Sequence, residues 1–542
     1  MQEGSAKQEL SNYYQIVNDF KLEVPEKFSF PLDVFDKWGD RPALIWTDGE
    51  ETKKFTFSQL TELSSKLAGG LKSLGIKKGD KVMIILSNKP EWWISVLALM
   101  RLNAIVIPAT TLLMPKDIEY RLKVANIKGI ISDEINAEKV EEAVNNLGKD
   151  IILINTDERT GWQNFSTLLN SDPFPGERTS SSDPAFIFFT SGTTGPPKMV
   201  LHTQVSYPLA HLITGKFWLD LKPGDIHWNL SDTGWAKAAW SSLFGPWNMG
   251  ATVFTRKAPK KFTPDFLVET LKKFEITTFC GPPTVYRMLI KEVPKEELKF
   301  PSVRHFVAAG EPLNPEVIEV WKEATGQYIY NGYGQTETVN TIAMFRFIPI
   351  KPGAMGLPTP GFVVDIVDDE GNPVKPYEDG NIAIKIKPER PVGLFVEYIG
   401  DEKEMNLAFR GEWYFTRDRG YKDEEGYFWF LGREDDIIIS SGYRISPFEV
   451  ESVLIKHPAV KESAVVASPD EVRGEVVKAF IVLKEGFEPS EKLVKELQDF
   501  VKKETAPYKY PRKVEFVSEL PKTISGKIKR KELKLKEFGL LK

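Results

Sequence analysis

Short apolar runs alternate with helical patterns as far as about residue 350, and this alternation constrains the fold more than any other feature. The runs KVMIIL (81–86) and AIVIPA (104–109) are rich in Val and Ile, as buried strands are. Between them, EWWISVLALMRLN (91–103) has the length and spacing of a buried helix. Strand, helix and strand in succession predict an α/β fold with largely parallel sheets.

Further apolar segments predict more strands, and several lead directly into loops rich in Gly, Pro or Thr. These segments are KGIISD (128–133), DIILIN (150–155), AFIFF (185–189), TTFCGPP (277–283), VRHFVAAGEPL (303–313) and QYIYNGYGQTET (327–338). After about residue 350 the pattern changes, because FVVDIVDDEGNPV (362–374) and RGYKDEEGYFWFLGR (419–433) are typical of hairpins. A compact β/α/β segment begins at Asp435, which predicts one domain over 1–434 and a second over 435–542.

Composition excludes several classes of protein. A chain of 542 residues is too long for a single hydrophobic core, and a net charge of −5 argues against a nucleic-acid or anionic-membrane partner. The single cysteine, Cys280, cannot form an intrachain disulfide. No apolar stretch is long enough to predict an integral membrane segment. Early acidic residues, a first arginine at Arg41 and the lack of an apolar signal region predict a cytoplasmic protein.

The segment TSGTTGPPK directly follows the strand AFIFF and offers the chemistry of a phosphate site. Backbone N–H groups, hydroxyls and a lysine bind phosphate oxygens, and glycine permits close approach. The predicted phosphate ligands are Thr190, Ser191, Gly192, Thr193, Thr194, Gly195 and Lys198. The alternative is a solvated Ser/Thr/Gly surface loop. The apolar strand before the segment and the lysine at its end argue against that alternative.

Two carboxylates further along the chain suit the same ligand. Glu337 in NGYGQTET (331–338) would be a natural ligand of Mg²⁺, which prefers hard oxygens and substrate phosphates. Asp418 in YFTRDRGY lies between two predicted strands, where it could bind both ribose hydroxyls. The alternatives are a glutamate in the first turn of a helix and a surface salt bridge of Asp418 with Arg417 or Arg419.

The C-terminal region contributes two polar turns. Gly442 lies in GREDDIIISSGYRISPFEVE (432–451), which is also a strand followed by a helix that Ser446 caps, with Pro447 in its first turn. Lys527 lies in the Ser-Gly turn of LPKTISGKIKRKELK (520–534), and a solvated basic tail is the simpler interpretation of a lone lysine there.

Taken together and in order, TSGTTGPPK, YGQTET, the Asp418 segment, GREDD with SGYR, and PKTISGK resemble the adenylate-forming superfamily of acyl-CoA synthetases, luciferases and adenylation domains. The similarity covers nearly the whole chain. SDTGWAK (231–237), GYRISPFEVE and the stretch APYKYPRKVEFVSELPKTISGKIKR are most similar to the medium-chain acyl-CoA synthetases. The resemblance implies a large N-terminal domain of stacked β-sheets with flanking helices and a β-barrel-like subdomain, followed by a small, mobile α+β domain.

The resemblance also implies a two-step reaction that uses ATP, Mg²⁺ and CoA. A carboxylic acid becomes an acyl-adenylate with release of pyrophosphate, and the CoA thiol then displaces AMP. Lys527 would bridge the acid and the α-phosphate, with Thr336 beside it and Glu337 on magnesium, while Asp418 and Arg433 bind ribose. The further ATP contacts implied are Gly310, Glu311, Pro312, Asn331, Gly332, Tyr333, Gly334 and Gln335.

For the second step, the resemblance implies that the C-terminal domain rotates about Asp435 and exchanges Lys527 for the SSGYR segment. The implied CoA contacts are Ser441, Gly442, Tyr443, Arg444, Arg473 and Lys502. Acetyl-CoA synthetases of the superfamily have a tryptophan at the position of Gly334, so glycine implies room for a medium-chain, branched or aromatic acid. The predicted acyl pocket consists of Trp235, Val307, Gly332 and Gly334, although Trp235 could equally be ordinary core.

Other functions remain open at this point. A stand-alone adenylating enzyme that loads an acyl carrier protein is the main alternative, although no carrier domain with its phosphopantetheine serine is apparent. A luciferase-like oxygenase and a non-enzymatic ATP sensor are weaker alternatives, because nothing specifies oxygen chemistry and a sensor would not need both Lys527 and Glu337. The predicted partners are a small carboxylic acid, ATP and CoA, and a homo-oligomer is compatible with the sequence.

Overall fold

The computed structural model of the protein describes residues 2–190, 197–259, 262–440, 443–470, 473–505, 507–522 and 527–540. This part of the chain contains two large sheets, a smaller barrel-like sheet, a C-terminal α+β unit and a two-stranded sheet of Lys27–Phe28 and Thr179–Ser180. The predicted fold class is therefore confirmed.

The first large sheet has eight strands among the described residues. In spatial order they are Glu397–Tyr398, Lys198–Thr203, Pro184–Thr190, Ile105–Pro108, Lys81–Ile85, Gly129–Ser132, Ile152–Asn155 and Gln163–Asn164. Its central strands are parallel, and Val82 pairs with both Val106 and Gly129. These strands are buried on both faces, which is why they appear in the sequence as continuous apolar runs instead of alternating ones.

The second large sheet has nine strands in the described part of the chain. They follow the spatial order Leu357–Pro358, Ile342–Ala343, Ile329–Tyr333, His305–Ala309, Thr278–Gly281, Ile226–Asn229, Thr252–Arg256, Pro42–Thr47 and Thr52–Thr56. Strands His305–Ala309 and Ile329–Tyr333 are parallel neighbours, with Ala308 opposite Asn331. The predicted strands of both large sheets are confirmed at nearly their expected bounds.

Helices connect and cover the strands. The α-helices are Gln2–Asp19, Phe30–Asp33, Phe57–Ser73, Pro90–Arg101, Pro115–Ala125, Glu134–Leu147, Phe165–Leu168, His211–Ile213, Ala236–Ala239, Gly245–Asn248, Pro264–Lys273, Pro283–Glu292, Pro315–Thr325, Glu402–Ala408, Pro447–Leu454, Glu491–Glu504 and Arg530–Glu537. Pro90–Arg101 is almost entirely buried, as its composition predicts. None of the helices in the described residues is both long and apolar enough to cross a bilayer.

Turns of π-helix form a cluster that the sequence did not predict. They are Val205–Leu209, Thr214–Trp218 and Trp240–Phe244, and the third packs against the other two. Such turns are rare and are frequent at functional sites because they displace side chains from regular helical positions.

The barrel-like sheet and the C-terminal sheet follow one another along the chain. The former contains Val364–Val367, Gly380–Lys385, Phe409–Arg410, Trp413–Lys422 and Phe428–Arg433, and the latter Ile438–Ser440, Tyr443–Ile445, Val460–Asp470, Gly474–Leu483 and Lys513–Phe516. A 3₁₀ turn, Glu434–Asp436, separates the two sheets. The C-terminal unit rests on the larger body through contacts such as Asn314 Nδ2 to Ser452 Oγ at 3.0 Å.

Candidate functional site

Asp418 is the centre of a buried polar cluster. Its Oδ2 accepts hydrogen bonds from the Tyr333 hydroxyl and from Gln335 Nε2, both at 2.7 Å, and its Oδ1 lies 3.2 Å from Arg433 Nη1. Asp418 is only 3% exposed, so a charge there needs such partners. Burial raises the pKa of Tyr333, which keeps its hydroxyl protonated as a donor.

The position of Asp418 differs from the sequence-based prediction. It lies within the strand Trp413–Lys422, directly opposite Arg433, and not between two strands. The hairpin turn falls later, because the acidic-Gly segment after Lys422 supplies the turn residues. The alternative of a surface salt bridge is also wrong: Arg417 contacts Glu404 at 2.9 Å and Arg419 contacts Asp379 at 3.0 Å.

Tyr398 contacts both Glu337 and Lys198. The Tyr398 hydroxyl donates to Glu337 Oε1 at 2.8 Å, and the Lys198 ammonium lies 5.1 Å from the centre of the Tyr398 ring. Burial raises the pKa of Glu337, against the opposing effect of the Tyr398 hydrogen bond. The carboxylate that was predicted to bind magnesium is therefore adjacent to the lysine that was predicted to bind phosphate.

Glu337 fits the role of a magnesium ligand. Burial disfavours its charged form, and a divalent cation would supply the compensating charge. In the part of the chain that the structure describes, no group of three or more His, Cys, Asp or Glu side chains could hold a metal alone. Phosphate oxygens and water would have to complete the coordination shell, which is how Mg²⁺ is usually bound with nucleotides.

Lys527 lies within range of the charges of Glu311, Arg433 and Asp418. Burial lowers the pKa of Lys527, the negative charge of Glu311 raises it, and the nearby positive charges of Arg433 and Lys237 lower it further. Lys527 is itself exposed, and its role as the catalytic lysine stays a prediction.

The predicted adenine-side residues lie on the loop after His305–Ala309 and on the next strand. Gly310 has φ +100°, a conformation that requires glycine, and a Cβ atom there would meet nothing within 4 Å. Glu311 is fixed by Arg287 at 3.2 Å, and Pro312 follows it. Asn331 is buried in Ile329–Tyr333. The backbone is therefore accessible beside Gly310, where a planar base could approach.

The phosphate segment is described only at its two ends. Thr190 closes the strand Pro184–Thr190 and pairs with Lys198, which begins the antiparallel strand Lys198–Thr203. The predicted ligands between them, Ser191, Gly192, Thr193, Thr194 and Gly195, lie outside the described residues. Lys198 Nζ is 2.5 Å from Glu404 Oε1. The start of the second strand therefore places Lys198 beside Tyr398 and Glu404.

The predicted acyl pocket contains more aromatic side chains than expected. A Cβ atom on Gly334 would lie 2.4 Å from the Trp240 indole and 2.5 Å from the Val339 carbonyl, and one on Gly332 would lie 2.3 Å from Trp218. Trp240 is buried and its Nε1 donates to the Tyr207 hydroxyl at 2.6 Å. The room that glycine was expected to leave at position 334 is therefore occupied by a different tryptophan.

The two remaining predicted pocket residues, Val307 and Trp235, differ in burial. Val307 is fully buried within its strand, opposite Cys280 and Tyr330. Trp235 is half-buried and precedes the helix Ala236–Ala239. The buried Lys237 Nζ has no hydrogen-bond partner among the described residues, so an ammonium group faces this region uncompensated.

The residues predicted to bind CoA lie on the C-terminal unit. Ser441 and Gly442 are outside the described residues, and Tyr443 and Arg444 lie in the strand Tyr443–Ile445. The backbone N–H of Arg473 donates to Asp470. Lys502, on the helix Glu491–Glu504, is 3.0 Å from Asp499 and stacks 4.3 Å from the centre of the Tyr510 ring. These contacts of Arg473 and Lys502 lie within the C-terminal unit.

Sequence reasoning missed several residues that contact predicted site residues, among them Tyr398, Glu404 and Trp240. None of them lies in a recognisable motif. Tyr398 and Glu404 come from a short strand and a short helix that cross the edge of the eight-stranded sheet. The only sequence signal was the acidic, helix-forming segment DEKEMNLA after Gly400, which predicts a helix but not its partner.

The comparison with protein families decides the class of this site. The AMP-binding enzyme family matches residues 33–388, and the C-terminal domain of AMP-binding enzymes matches residues 449–527. The chain belongs to the AMP-binding enzyme family.

Individual relatives of this AMP-binding enzyme extend over almost its whole length. It is 49% identical to the mouse protein "Acyl-coenzyme A synthetase ACSM3, mitochondrial", over 98% of this chain and 94% of that one, and 48% identical to its human counterpart over 98% and 93%. It is similar to the crystal structure of the anthranilate CoA ligase AuaEII in complex with anthranoyl-AMP, at 31% identity and a TM-score of 0.86, over 94% of this chain and 97% of that one.

These relatives confirm the predicted superfamily and the prediction of an AMP-forming acyl-CoA synthetase that uses ATP, Mg²⁺ and CoA. The prediction of a cytoplasmic location is wrong, because the curated relatives that match over nearly the whole chain are named mitochondrial. The prediction rested on early acidic residues, a first arginine at Arg41 and the lack of an apolar signal region, and these features do not distinguish the cytosol from the mitochondrial interior.

Proposed function

We propose that this AMP-binding enzyme converts a medium-chain or branched carboxylic acid into its CoA thioester in two steps at one cleft. In the first step, the carboxylate of the acid attacks the α-phosphorus of ATP and pyrophosphate leaves. In the second step, the sulfur of CoA attacks the acyl carbon and AMP leaves. No general base is needed in the first step, since the acid is already ionised near pH 7.

The observation that carries the proposal is the buried Asp418 cluster, in which Tyr333, Gln335 and Arg433 are fixed around one carboxylate. This cluster supports a nucleotide site in which Asp418 and Arg433 bind the ribose. In that site, the ammonium group of Lys527 would neutralise the negative charge at the α-phosphate. Charge neutralisation and positioning are the main requirements of phosphoryl transfer. Bound magnesium would polarise the phosphate oxygens, with Glu337 as its protein ligand.

The second step requires a different surface, so we propose that the C-terminal domain, residues 435–542, turns about Asp435. The short 3₁₀ turn Glu434–Asp436 supports this pivot, because few backbone angles would have to change there. After rotation, Lys527 would leave and Ser441, Gly442, Tyr443 and Arg444 would line the path of pantetheine. Arg473 and Lys502 are suitable cations for the nucleotide end of CoA.

The proposed class of acid follows from the tryptophan side chains that lie beside Gly334 and Gly332. Trp240 beside Gly334 would limit the depth of the pocket, and Trp235, Val307 and Gly332 would form its sides. Such a pocket suits short-to-medium or branched chains better than long straight ones. A substitution of Gly334 by Trp is a poor test of this idea, since any Cβ atom at 334 meets the rigid carbonyl of Val339.

The experiment is an AMP-release and acyl-CoA assay with straight and branched acids from two to twelve carbons, with free CoA or a holo-acyl carrier protein as acceptor. We expect CoA thioesters, with best turnover between four and eight carbons. Adenylate formation followed by transfer to the carrier protein alone would contradict the proposal. In the variant Trp240→Leu, we expect the kcat/KM ratio of decanoate to butyrate to rise about tenfold, which corresponds to two methylenes at about 0.8 kcal/mol each.

A further inference from the structure

Four charged side chains form a chain of ion pairs between the phosphate segment and the 3₁₀ turn. Lys198 Nζ lies 2.5 Å from Glu404 Oε1, and Arg417 Nη1 lies 2.9 Å from the same oxygen. The other end of the Arg417 guanidinium lies 3.4 Å from Asp435 and 3.7 Å from Glu434. We name Lys198, Glu404, Arg417 and Asp435 the charged relay.

Glu404 is the anchor of the charged relay. Its side chain is only 10% exposed, and the side chain of Asp401 caps the helix Glu402–Ala408 that carries it. Burial would raise the pKa of Glu404, but hydrogen bonds from Lys198 and Arg417 outweigh that effect and lower it. The carboxylate is therefore charged and shared by two cations, so each cation competes with the other for it.

Arg417 is held in an unusual backbone conformation. Its φ is +63°, in the left-handed region that residues other than glycine rarely adopt. This conformation lies immediately before Asp418, so the backbone that directs Asp418 into the cluster directs Arg417 out towards Glu404 and Asp435. An arginine at a strained position that bridges two elements indicates a role for its side chain, since glycine would relieve the strain.

We propose that Arg417 is a positioning residue that holds the pivot Asp435 in the orientation in which Lys527 faces Asp418, and that Glu404 couples this contact to the charge of Lys198. The proposal rests on the proposed two-step function. In this arrangement the contact between Arg417 and Asp435 favours the adenylate-forming orientation, and its loss favours the thioester-forming one. Because Glu404 pairs with both cations, loss of Arg417 strengthens the ion pair between Glu404 and Lys198. Loss of the Glu404 charge removes that ion pair, so that Lys198 can bind phosphate.

The test measures the two half-reactions and the KM for ATP in Arg417→Gly and Glu404→Gln. We expect both variants to lower the ratio of adenylation rate to thioester-formation rate about threefold, within the range of a partly exposed ion pair. The KM for ATP should move in opposite directions: up about threefold in Arg417→Gly and down in Glu404→Gln. A merely structural role would move both values of KM the same way.

Loss of folding stability should not explain the changes in rate ratio and KM, because Arg417→Gly removes backbone strain. The matched control is Tyr377→Gly, which has the same left-handed backbone at φ +66° on an exposed turn outside the charged relay. We expect the control to keep the wild-type ratio and KM, and Arg417→Lys to recover part of the ratio. A variant Arg417→Gly with an unchanged ratio would overturn the positioning role, and parallel shifts of KM would overturn the shared anchor. Absence of either half-reaction in the wild-type enzyme would overturn the proposed function as well.

Discussion

The Asp418 cluster and Lys527, the two parts of the predicted nucleotide site, are built in contrasting ways. Asp418 receives hydrogen bonds from Tyr333 and Gln335 and an ion pair from Arg433, all within the larger body of the protein. Lys527 comes from the last hundred residues and is exposed, in contrast to the buried Asp418. This contrast fits the proposal that Asp418 serves both steps, whereas Lys527 serves the first step and then leaves.

The strongest test of this contrast is Lys527→Ala. We expect acyl-adenylate formation to fall about 10²- to 10³-fold, because a cation at the developing charge is lost, while thioester formation from supplied acyl-adenylate stays near wild type. Rapid-quench measurements of each half-reaction check the prediction. Equal losses in the two half-reactions would show that Lys527 is not specific to the first.

Asp418→Asn should affect both half-reactions alike. The change removes the charge opposite Arg433 and weakens two hydrogen bonds, each worth about 1.5–3 kcal/mol when charged. We expect the KM for ATP and the dissociation constant of acyl-adenylate to rise by about 10- to 100-fold. Isothermal titration with AMP measures the same loss without catalysis. A loss confined to adenylate formation would break the comparison between Asp418 and Lys527.

Asp435→Pro should change the ratio of the two half-reaction rates less than Lys527→Ala does. Proline fixes φ near −65° and stiffens the pivot, which restricts the chain by about 0.4–1 kcal/mol. We expect one half-reaction to slow by up to about fivefold relative to the other. Asp435→Ala is the control, since it removes the carboxylate without fixing φ. Identical behaviour of the two variants would mean that the charge at 435 matters and its backbone does not.

The smallest expected effect is on the pH dependence of magnesium use. Burial raises the pKa of Glu337, so its protonated form persists to higher pH than that of an ordinary glutamate. Since Mg²⁺ binds the carboxylate, the apparent magnesium affinity should fall as pH is lowered towards that raised pKa and level off above it. Magnesium titrations from pH 5.5 to 8 should show a few-fold loss in wild type. Glu337→Gln carries no titrating carboxylate and reports the protonation of ATP alone, so a matching slope in both proteins would assign the effect to ATP.

Local pattern predicted the elements of the large sheets well because their strands are buried on both faces. Continuous Val- and Ile-rich runs such as those at Lys81–Ile85 and Ile105–Pro108 have few alternatives once helices alternate with them. The bounds of Pro90–Arg101 and Pro283–Glu292 follow from proline in the first turn. The π-helical turns at 205–209, 214–218 and 240–244 could not be predicted, because their register depends on packing between them.

The sequence by itself determined the family and its class of chemistry, and it predicts Asp418, Glu337 and Lys527 as site residues because they lie in the ordered motifs of that family. The tertiary structure decided which groups stand beside them. Tyr398 beside Glu337, Trp240 over Gly334 and the placement of Arg417 between Glu404 and Asp435 join residues that no motif connects. The physical reason is that short-range propensities act over a few residues, whereas close packing and the pairing of buried charges act between residues far apart in the chain.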